Sequence, residues 1–255
     1  HSLFEFGVHN AMLPPEIGKY MQNKQNTKQP NEYIAWNVSN VNNMKGMFEA
    51  CEKFNQPLNN WDVSNVTNMK DIFWNCHIFN QPLNKWDVSN VTNMEGMFAD
   101  CSNFNQDLNN WNVSKVTNMN SIFRYCRFFN GNIQNWDVSL VENMEGMFFQ
   151  AEHFNVNIGN WNVSNVINMC DMFSGCFEFD QDLNKWNVFN VMNMEYIFHQ
   201  ASSRMGKNCI NWQISKYASI NNAINYYDDD VPSWYIDEKK TFKFKRATHN
   251  GNNNI

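Results

Sequence analysis

The chain has 255 residues, of which 43% are hydrophobic and only 17% charged, and its formal net charge is −6 at pH 7. This acidic balance argues against nucleic-acid binding by phosphate neutralisation, and no apolar run reaches the roughly 18 residues that a membrane-spanning helix needs. The polar character comes mainly from 48 asparagines, which stand beside 21 Phe, 15 Met and 10 Trp.

The first predicted element is an N-terminal cap over residues 1–32. Pro14 and Pro15 favour the opening of a short helix that continues through Ile17 and Tyr20. The segment from Leu13 to Ile17 is also faintly similar to the start of an F-box. An F-box-like substrate adaptor is therefore one alternative function.

Residues 33–203 repeat with a period of 25 residues, without insertion, in seven units. Each unit has a Trp, Val two and five positions later, an adjacent Asn and Met, and a Phe twelve positions after the Trp. The Trp residues are Trp36, Trp61, Trp86, Trp111, Trp136, Trp161 and Trp186, and the Phe residues are Phe48, Phe73, Phe98, Phe123, Phe148, Phe173 and Phe198. So strict a period predicts that each unit forms one coil of a solenoid.

Two patterns within a unit predict its secondary structure. The β-branched stretch from Trp86 to Val91 is typical of a short strand. Met94, Met97, Phe98 and Cys101 then follow the i, i+3, i+4, i+7 spacing of a short helix. We therefore predict an α/β repeat of the leucine-rich kind, with short parallel strands and one short helix in each 25-residue coil.

A degenerate eighth coil is predicted over residues 204–228. Trp212, Ile214 and Ile220 occupy the offsets of the repeated Trp, first Val and Met, with the register shifted by one residue. Terminal units of a stack often diverge because they cover its apolar end, so this coil is interpreted as a C-terminal cap. Residues 229–255 are predicted to form a tail.

The repeated Trp and Phe residues are interpreted as core, because mutual burial is the simplest use of so much apolar surface. A row of sugar-stacking Trp platforms is the alternative. The repeated Asn is interpreted as a turn ladder, because Asn donates, accepts and tolerates left-handed backbone. Its members are Asn43, Asn68, Asn93, Asn118, Asn143, Asn168 and Asn193.

One repeat position holds a small residue, which is Cys in five units and Ala in Ala151 and Ala201. That exchange predicts inert buried thiols and favours a reducing compartment. No Ser/His/Asp, Cys/His or paired-carboxylate arrangement recurs, and no zinc spacing or glycine-rich phosphate loop is present. We therefore expect no catalytic, cofactor-binding or metal-binding residues, and we expect that the protein is not an enzyme.

The position nine residues after the Trp changes its charge along the repeats. Lys45 and Lys70 occupy it at the start, whereas Glu95, Glu145 and Glu195 occupy it later. This graded column is the candidate partner face, although a merely solvated face would have a similar pattern. The expected partners are other proteins, with no nucleic acid, membrane span or metal.

The unit from Asn84 to Leu108, with its W-D-V-S-N-V-T-N-M-x-x-M-F text, resembles the BspA-like leucine-rich repeat family. That family is often described as a domain of unknown function and is common in wall-less bacteria and large DNA viruses. The resemblance implies a right-handed, non-enzymatic solenoid used for adhesion or protein contact. It offers no catalytic residues to carry over.

These features together predict a structural or protein-interaction scaffold. Cys in the small position, with no visible leader, favours a minor virion or capsid-associated component of a large DNA virus. The expected location is then the virion or host cytoplasm, and its partners are capsid or surface proteins. The alternatives are a cell-surface adhesin that binds carbohydrate or host protein, and the F-box-like adaptor.

Overall fold

A computed structural model describes residues 37–202, 204–224 and 231–235. Successive 25-residue coils stack in register, each joined to the next through a parallel bridge at its repeated Asn. The bridges are Asn43 to Asn68, Asn68 to Asn93, Asn93 to Asn118, Asn118 to Asn143, Asn143 to Asn168, Asn168 to Asn193, and Asn193 to Ser219. The last bridge spans one residue more than the others, which is the register shift at the eighth coil.

The predicted α/β class is wrong. The one helix in the described residues is α1 (Met205–Asn208), which has four residues and follows the seven regular coils. The parallel pairs remain isolated bridges and do not extend into strands. The leucine-rich-repeat architecture, with a strand and a helix in every coil, is therefore not the architecture of this chain.

Left-handed backbone explains the missing helices. Two positions in each coil have φ near +60°, and an L residue in this conformation interrupts a right-handed helix. The first position holds Gly46, Asp71, Gly96, Ser121, Gly146, Asp171 and Tyr196, and the second holds Ala50, Asn75, Asp100, Tyr125, Gln150, Gly175 and Gln200. The segment with helical spacing therefore runs as consecutive turns.

The hydrogen bonds of residues 94–101 show how these turns satisfy the backbone. Alternate amides, from Met94 to Asp100, donate to carbonyls of the next coil at 2.7–3.0 Å. The amides of Met97, Ala99 and Cys101 donate to the carbonyl three residues back at 2.9–3.2 Å. The remaining amide, that of Glu95, donates to the side chain of Asn93. Every amide of this segment therefore has a partner, as a close-packed stack requires.

Three columns of stacked aromatic rings fill the core. Ring centroids in the Trp column lie 6.2–6.4 Å apart in four stacked pairs, which are Trp86 with Trp111, Trp111 with Trp136, Trp136 with Trp161, and Trp186 with Trp212. The Phe column that begins at Phe48 has spacings of 5.4–5.8 Å. A second Phe column, which begins at Phe54, has spacings of 5.5–6.1 Å.

Trp234 closes the Trp column at its C-terminal end. Its ring stacks on Trp212 with a centroid distance of 5.7 Å, and its Nε1 donates to the Cys209 carbonyl at 2.8 Å. Trp234 falls within residues 229–255, which were predicted to form a tail. The predicted N-terminal cap, Trp36 and most of the predicted tail lie outside the described residues.

Candidate interaction surface

The repeated Trp side chains face the interior. Five of them are buried, namely Trp86, Trp111, Trp136, Trp161 and Trp186. Trp61, in the second coil, is half-buried. Most of the buried indoles donate to a carbonyl 28 residues earlier, as Trp111 does to Leu83 at 3.0 Å. The Trp161 indole has no hydrogen-bond partner among the described residues. The seven repeated Phe residues are all buried. The seven Phe and these five buried Trp side chains are therefore not available to a ligand.

Each repeated Asn side chain makes a hydrogen bond within its own coil. Each Oδ1 accepts a hydrogen bond from the amide two residues later, as Asn118 does from Asn120 at 3.0 Å. The same bond recurs at Asn43, Asn68, Asn93, Asn143, Asn168 and Asn193. The Asn side chain thereby satisfies the one amide of the turn segment that no carbonyl reaches.

A second Asn column, which the sequence analysis missed, links neighbouring coils through its side chains. The Oδ1 of Asn80 accepts from the amide of Asn105 at 2.9 Å, and Asn105 does the same for Asn130 at 2.8 Å. Asn55, Asn130 and Asn155 repeat the contact. The sequence signal was the Asn that directly follows the second Phe in the first five units.

The charged column proposed as a partner face is largely occupied by contacts inside the stack. Lys70 pairs with Glu95 at 2.6 Å, and this contact raises the pKa of the Lys70 amine. The carboxylate of Glu145 accepts from Asn168 at 2.9 Å. Hydrogen bonds from Ser219 and Asn221 lower the pKa of Glu195. Lys45 is exposed.

A cluster of exposed and half-buried aromatic and basic side chains lies on the turn segments of the fourth and fifth coils. We call Arg124, Tyr125, Phe128, Phe149 and His153 the aromatic–arginine cluster. The Arg124 guanidinium carbon lies 4.0 Å from the Phe149 ring centroid and 5.0 Å from that of Tyr125. Phe128 stacks on His153 with a centroid distance of 5.5 Å. Tyr125 and Phe128 remain 40% and 46% exposed.

Sequence reasoning missed this cluster because its residues occupy positions that do not repeat. The slot of Tyr125 holds Asn75, Asp100, Gln150 and Gly175 in neighbouring coils. A comparison of the copies for aromatic residues at otherwise polar positions would have found it. A comparison for large apolar residues at otherwise polar positions also identifies a second exposed set, namely Leu140, Ile167, Phe189 and Met192.

The cysteines are thiols, and their environments make them poor nucleophiles. Cys126 is fully buried, its Sγ donates to the Phe98 carbonyl at 2.9 Å, and burial raises its pKa. Cys170 is half-buried, and burial together with Asp171 raises its pKa to about 12. Across residues 37–202, 204–224 and 231–235, no three His, Cys, Asp or Glu side chains form a group suited to a metal ion. No helix in those same ranges is long and apolar enough to cross a bilayer.

A family model described as "Mycoplasma protein of unknown function, DUF285" matches residues 18–135 and, again, residues 117–234. The chain belongs to the DUF285 family. The two overlapping matches span the described coils and confirm the expected family. They do not describe the repeat motif itself. No curated protein matches this DUF285 chain.

Proposed function

We propose that this DUF285 chain is a non-enzymatic protein-interaction module, a stacked scaffold whose outward side chains hold a partner protein. One observation carries the proposal. The repeated residues are engaged in packing or in hydrogen bonds between coils, whereas large aromatic side chains are exposed at positions that the repeat does not need. Exposed aromatic residues beside arginine are typical of the residues that dominate protein interfaces.

The other coils serve as internal controls for this inference. The amide at the slot of Tyr125 donates to a carbonyl of the next coil whether that slot holds Tyr, Asn, Asp, Gln or Gly. An aromatic residue there adds nothing that the stack requires, and it leaves apolar surface in water. Contact with a partner would cover that surface, which is the usual meaning of exposed apolar patches.

Two further observations support a function without catalysis. The pKa values of Cys76, Cys101, Cys126, Cys170 and Cys176 are all raised, so few of these thiols are present as the nucleophilic thiolate. His153 contacts Glu178 at 2.7 Å and stacks on Phe128, with no thiol or hydroxyl in that set of contacts. A turnover of any substrate by the purified chain would contradict this part of the proposal.

The proposed location is a virion or the host cytoplasm, where the chain would contact capsid or other proteins. Its buried thiols support a reducing site of assembly, because an oxidising compartment favours disulfides. Fractionation of the source material checks the location. Recovery with intact particles or host cytosol is the expected result, and recovery at the cell surface would favour the adhesin alternative.

The carbohydrate-binding alternative loses its main support because the repeated Trp rings stack on one another inside the core. The F-box-like alternative depends on residues 13–17, which lie outside the described residues. Deletion of residues 1–32 tests it, since loss of all partners after that deletion would favour the adaptor over the scaffold.

Crosslinking mass spectrometry on native material tests the proposed function. The expected result is crosslinks from exposed side chains within residues 45–178 to one or a few specific proteins. Lys45 has an exposed amine and is a suitable site for crosslinking. Crosslinks confined to the chain itself at native concentration would overturn the proposal.

A further inference from the structure

We infer that the aromatic–arginine cluster binds an acidic protein segment, with Arg124 as the anchor for an Asp or Glu carboxylate. The inference rests on the proposed function and names the chemistry of the partner. The proposed binding surface is then within residues 124–153 and not the charged column.

The guanidinium of Arg124 is held in place but is not neutralised. It is stacked on Phe149 and Tyr125, whose rings meet edge to face with a centroid distance of 5.2 Å. It extends over Gly146, where a Cβ would come within 3.2 Å of Nη1. In the part of the chain that the structure describes, no carboxylate pairs with Arg124.

The neighbouring side chains of Arg127 and His153 have carboxylate partners of their own. Arg127 pairs with Glu152 at 2.9 Å, and His153 contacts Glu178 at 2.7 Å. Both pairs join adjacent coils. Arg124 therefore has no carboxylate partner among the described residues, and the complementary group is an anion.

The form of the side chain favours a carboxylate as that anion. A guanidinium presents a planar fork of N–H donors that matches the two oxygens of a carboxylate, and it is weakly hydrated compared with an ammonium group. Aromatic rings on its faces exclude water from those faces and leave the N–H edge for the ligand. The exposed ring of Tyr125, which lies against the guanidinium, offers an apolar contact for the residue next to the acidic one.

Tyr125 is an independent indication that this surface has been shaped for binding. It has φ of 57°, in the left-handed region that bulky residues avoid. Coils on either side place Asp100 and Gln150 there, and Asn75 and Gly175 follow the same pattern of small or polar residues. A Tyr at this position strains the backbone without serving the core, which is typical of residues retained for a function.

Selection from a phage-displayed library of random dodecapeptides tests the inference on the full chain. The expected peptides carry Asp or Glu next to an aromatic or aliphatic residue. The best peptide is then titrated by fluorescence anisotropy against variants that copy residues from other coils. Arg124→Ala copies Ala99, and Tyr125→Asn copies Asn75, so both are compatible with the stack.

Each variant is expected to weaken peptide binding at least about tenfold, since anchor residues of an interface commonly carry that much. Arg124→Lys keeps the charge but loses the planar fork, and it should rescue binding only in part. Lys185→Gln is the matched control, because it removes one exposed positive charge elsewhere and should leave affinity unchanged. Circular dichroism and the melting temperature confirm that each variant is folded.

Three results would overturn the inference: no peptide selected above background, selected peptides without acidic enrichment, or full affinity retained by Arg124→Ala. The proposed function fails separately. Crosslinks from a specific partner to coils away from residues 124–153 would preserve the scaffold and remove only this site.

Discussion

Trp111 shows how a single side chain supports the stack. It lies between Trp86 and Trp136 with ring-centroid distances of 6.4 Å on both sides, and it is 3% exposed. Trp111→Ala would remove both stacking contacts and leave a cavity that rigid neighbours cannot fill. We expect a loss of about 3–5 kcal/mol in the free energy of unfolding, measured by chemical denaturation.

Trp74 supplies the control for that measurement, because it is the same residue type on the outer surface, with 41% exposure. Trp74→Ala should change the free energy of unfolding by no more than about 0.5 kcal/mol. Equal losses for the two variants would show that the Trp column is not the core.

Asp71 gives the stack a pH-dependent weakness. Burial raises the pKa of its carboxyl, and nearby Glu95 and Glu49 add to that effect against Lys70 and Lys45. A raised pKa means that the fold disfavours the ionised form of Asp71. The protein therefore loses stability as pH rises through the pKa of Asp71 in the folded state. Asp71→Asn should therefore raise the melting temperature at neutral pH.

The difference between Asp71→Asn and the natural protein should disappear in acid, below the usual carboxyl range, where both side chains are neutral. Asn is compatible with the left-handed backbone of this position, since Asn75 and Asn222 have φ of 64° and 53°. A difference in melting temperature that is the same at neutral and acid pH would contradict the assignment to the Asp71 charge.

At the level of the coil, the sequence predicted which side chains point inward but not the backbone that places them there. Met94, Met97, Phe98 and Cys101 are all buried, as a helical stripe would require. A stripe of only eight residues does not distinguish a helix from consecutive turns, because both place these side chains on the core side. Gly96, in the middle of the stripe, was the contrary signal, because Gly weakens a helix interior and favours positive φ.

The surface was less predictable than the core for a physical reason. Core slots repeat because every coil must fill the same volume, so one sequence reveals them seven times. Among the seven coils, Arg occurs once at the position of Arg124, and Tyr occurs once at the position of Tyr125. The contacts of both side chains with the Phe149 ring depend on the distance between coils. The charged column repeated well enough to be noticed, yet its regularity reflects contacts such as Lys70 with Glu95.

The repeated Asn column has a second role that distinguishes one coil from another. Besides the bond to its own turn, Asn118 donates from Nδ2 to Glu95 of the preceding coil at 3.2 Å. Asn118→Asp would keep the first bond and replace the second with repulsion between two carboxylates. We expect a loss of about 1–2 kcal/mol in the free energy of unfolding, measured by denaturation near neutral pH.

Asn93→Asp is the matched control, since the equivalent position of the preceding coil is Lys70 and not a carboxylate. The same substitution there should change the free energy of unfolding by no more than about 0.5 kcal/mol. A similar loss for both variants would mean that the amide nitrogen matters for the turn itself and not for the contact between coils.

On the scale of the whole molecule, each coil contacts its neighbours in the stack through the same amides, rings and Asn side chains. Stability is then close to a sum of contacts between adjacent coils, and internal groups become accessible when the stack opens. The low charge fits this arrangement, because the polar groups of a coil are mostly satisfied by the next coil. Thiols distributed along the stack can report where it opens.

Alkylation of the thiols with iodoacetamide measures that opening. In the native protein we expect Cys170 to react slowly, with Cys126 protected because it is fully buried and donates to the Phe98 carbonyl. The pKa of Cys170 is raised to about 12, so its rate should rise about tenfold for each unit of pH between 7 and 10, as the thiolate fraction does. In denaturant both should react at similar rates, which peptide mapping by mass spectrometry measures. A Cys170 rate that levels off below pH 10 would contradict the effect of burial and Asp171, and native labelling of Cys126 as fast as Cys170 would contradict a closed stack.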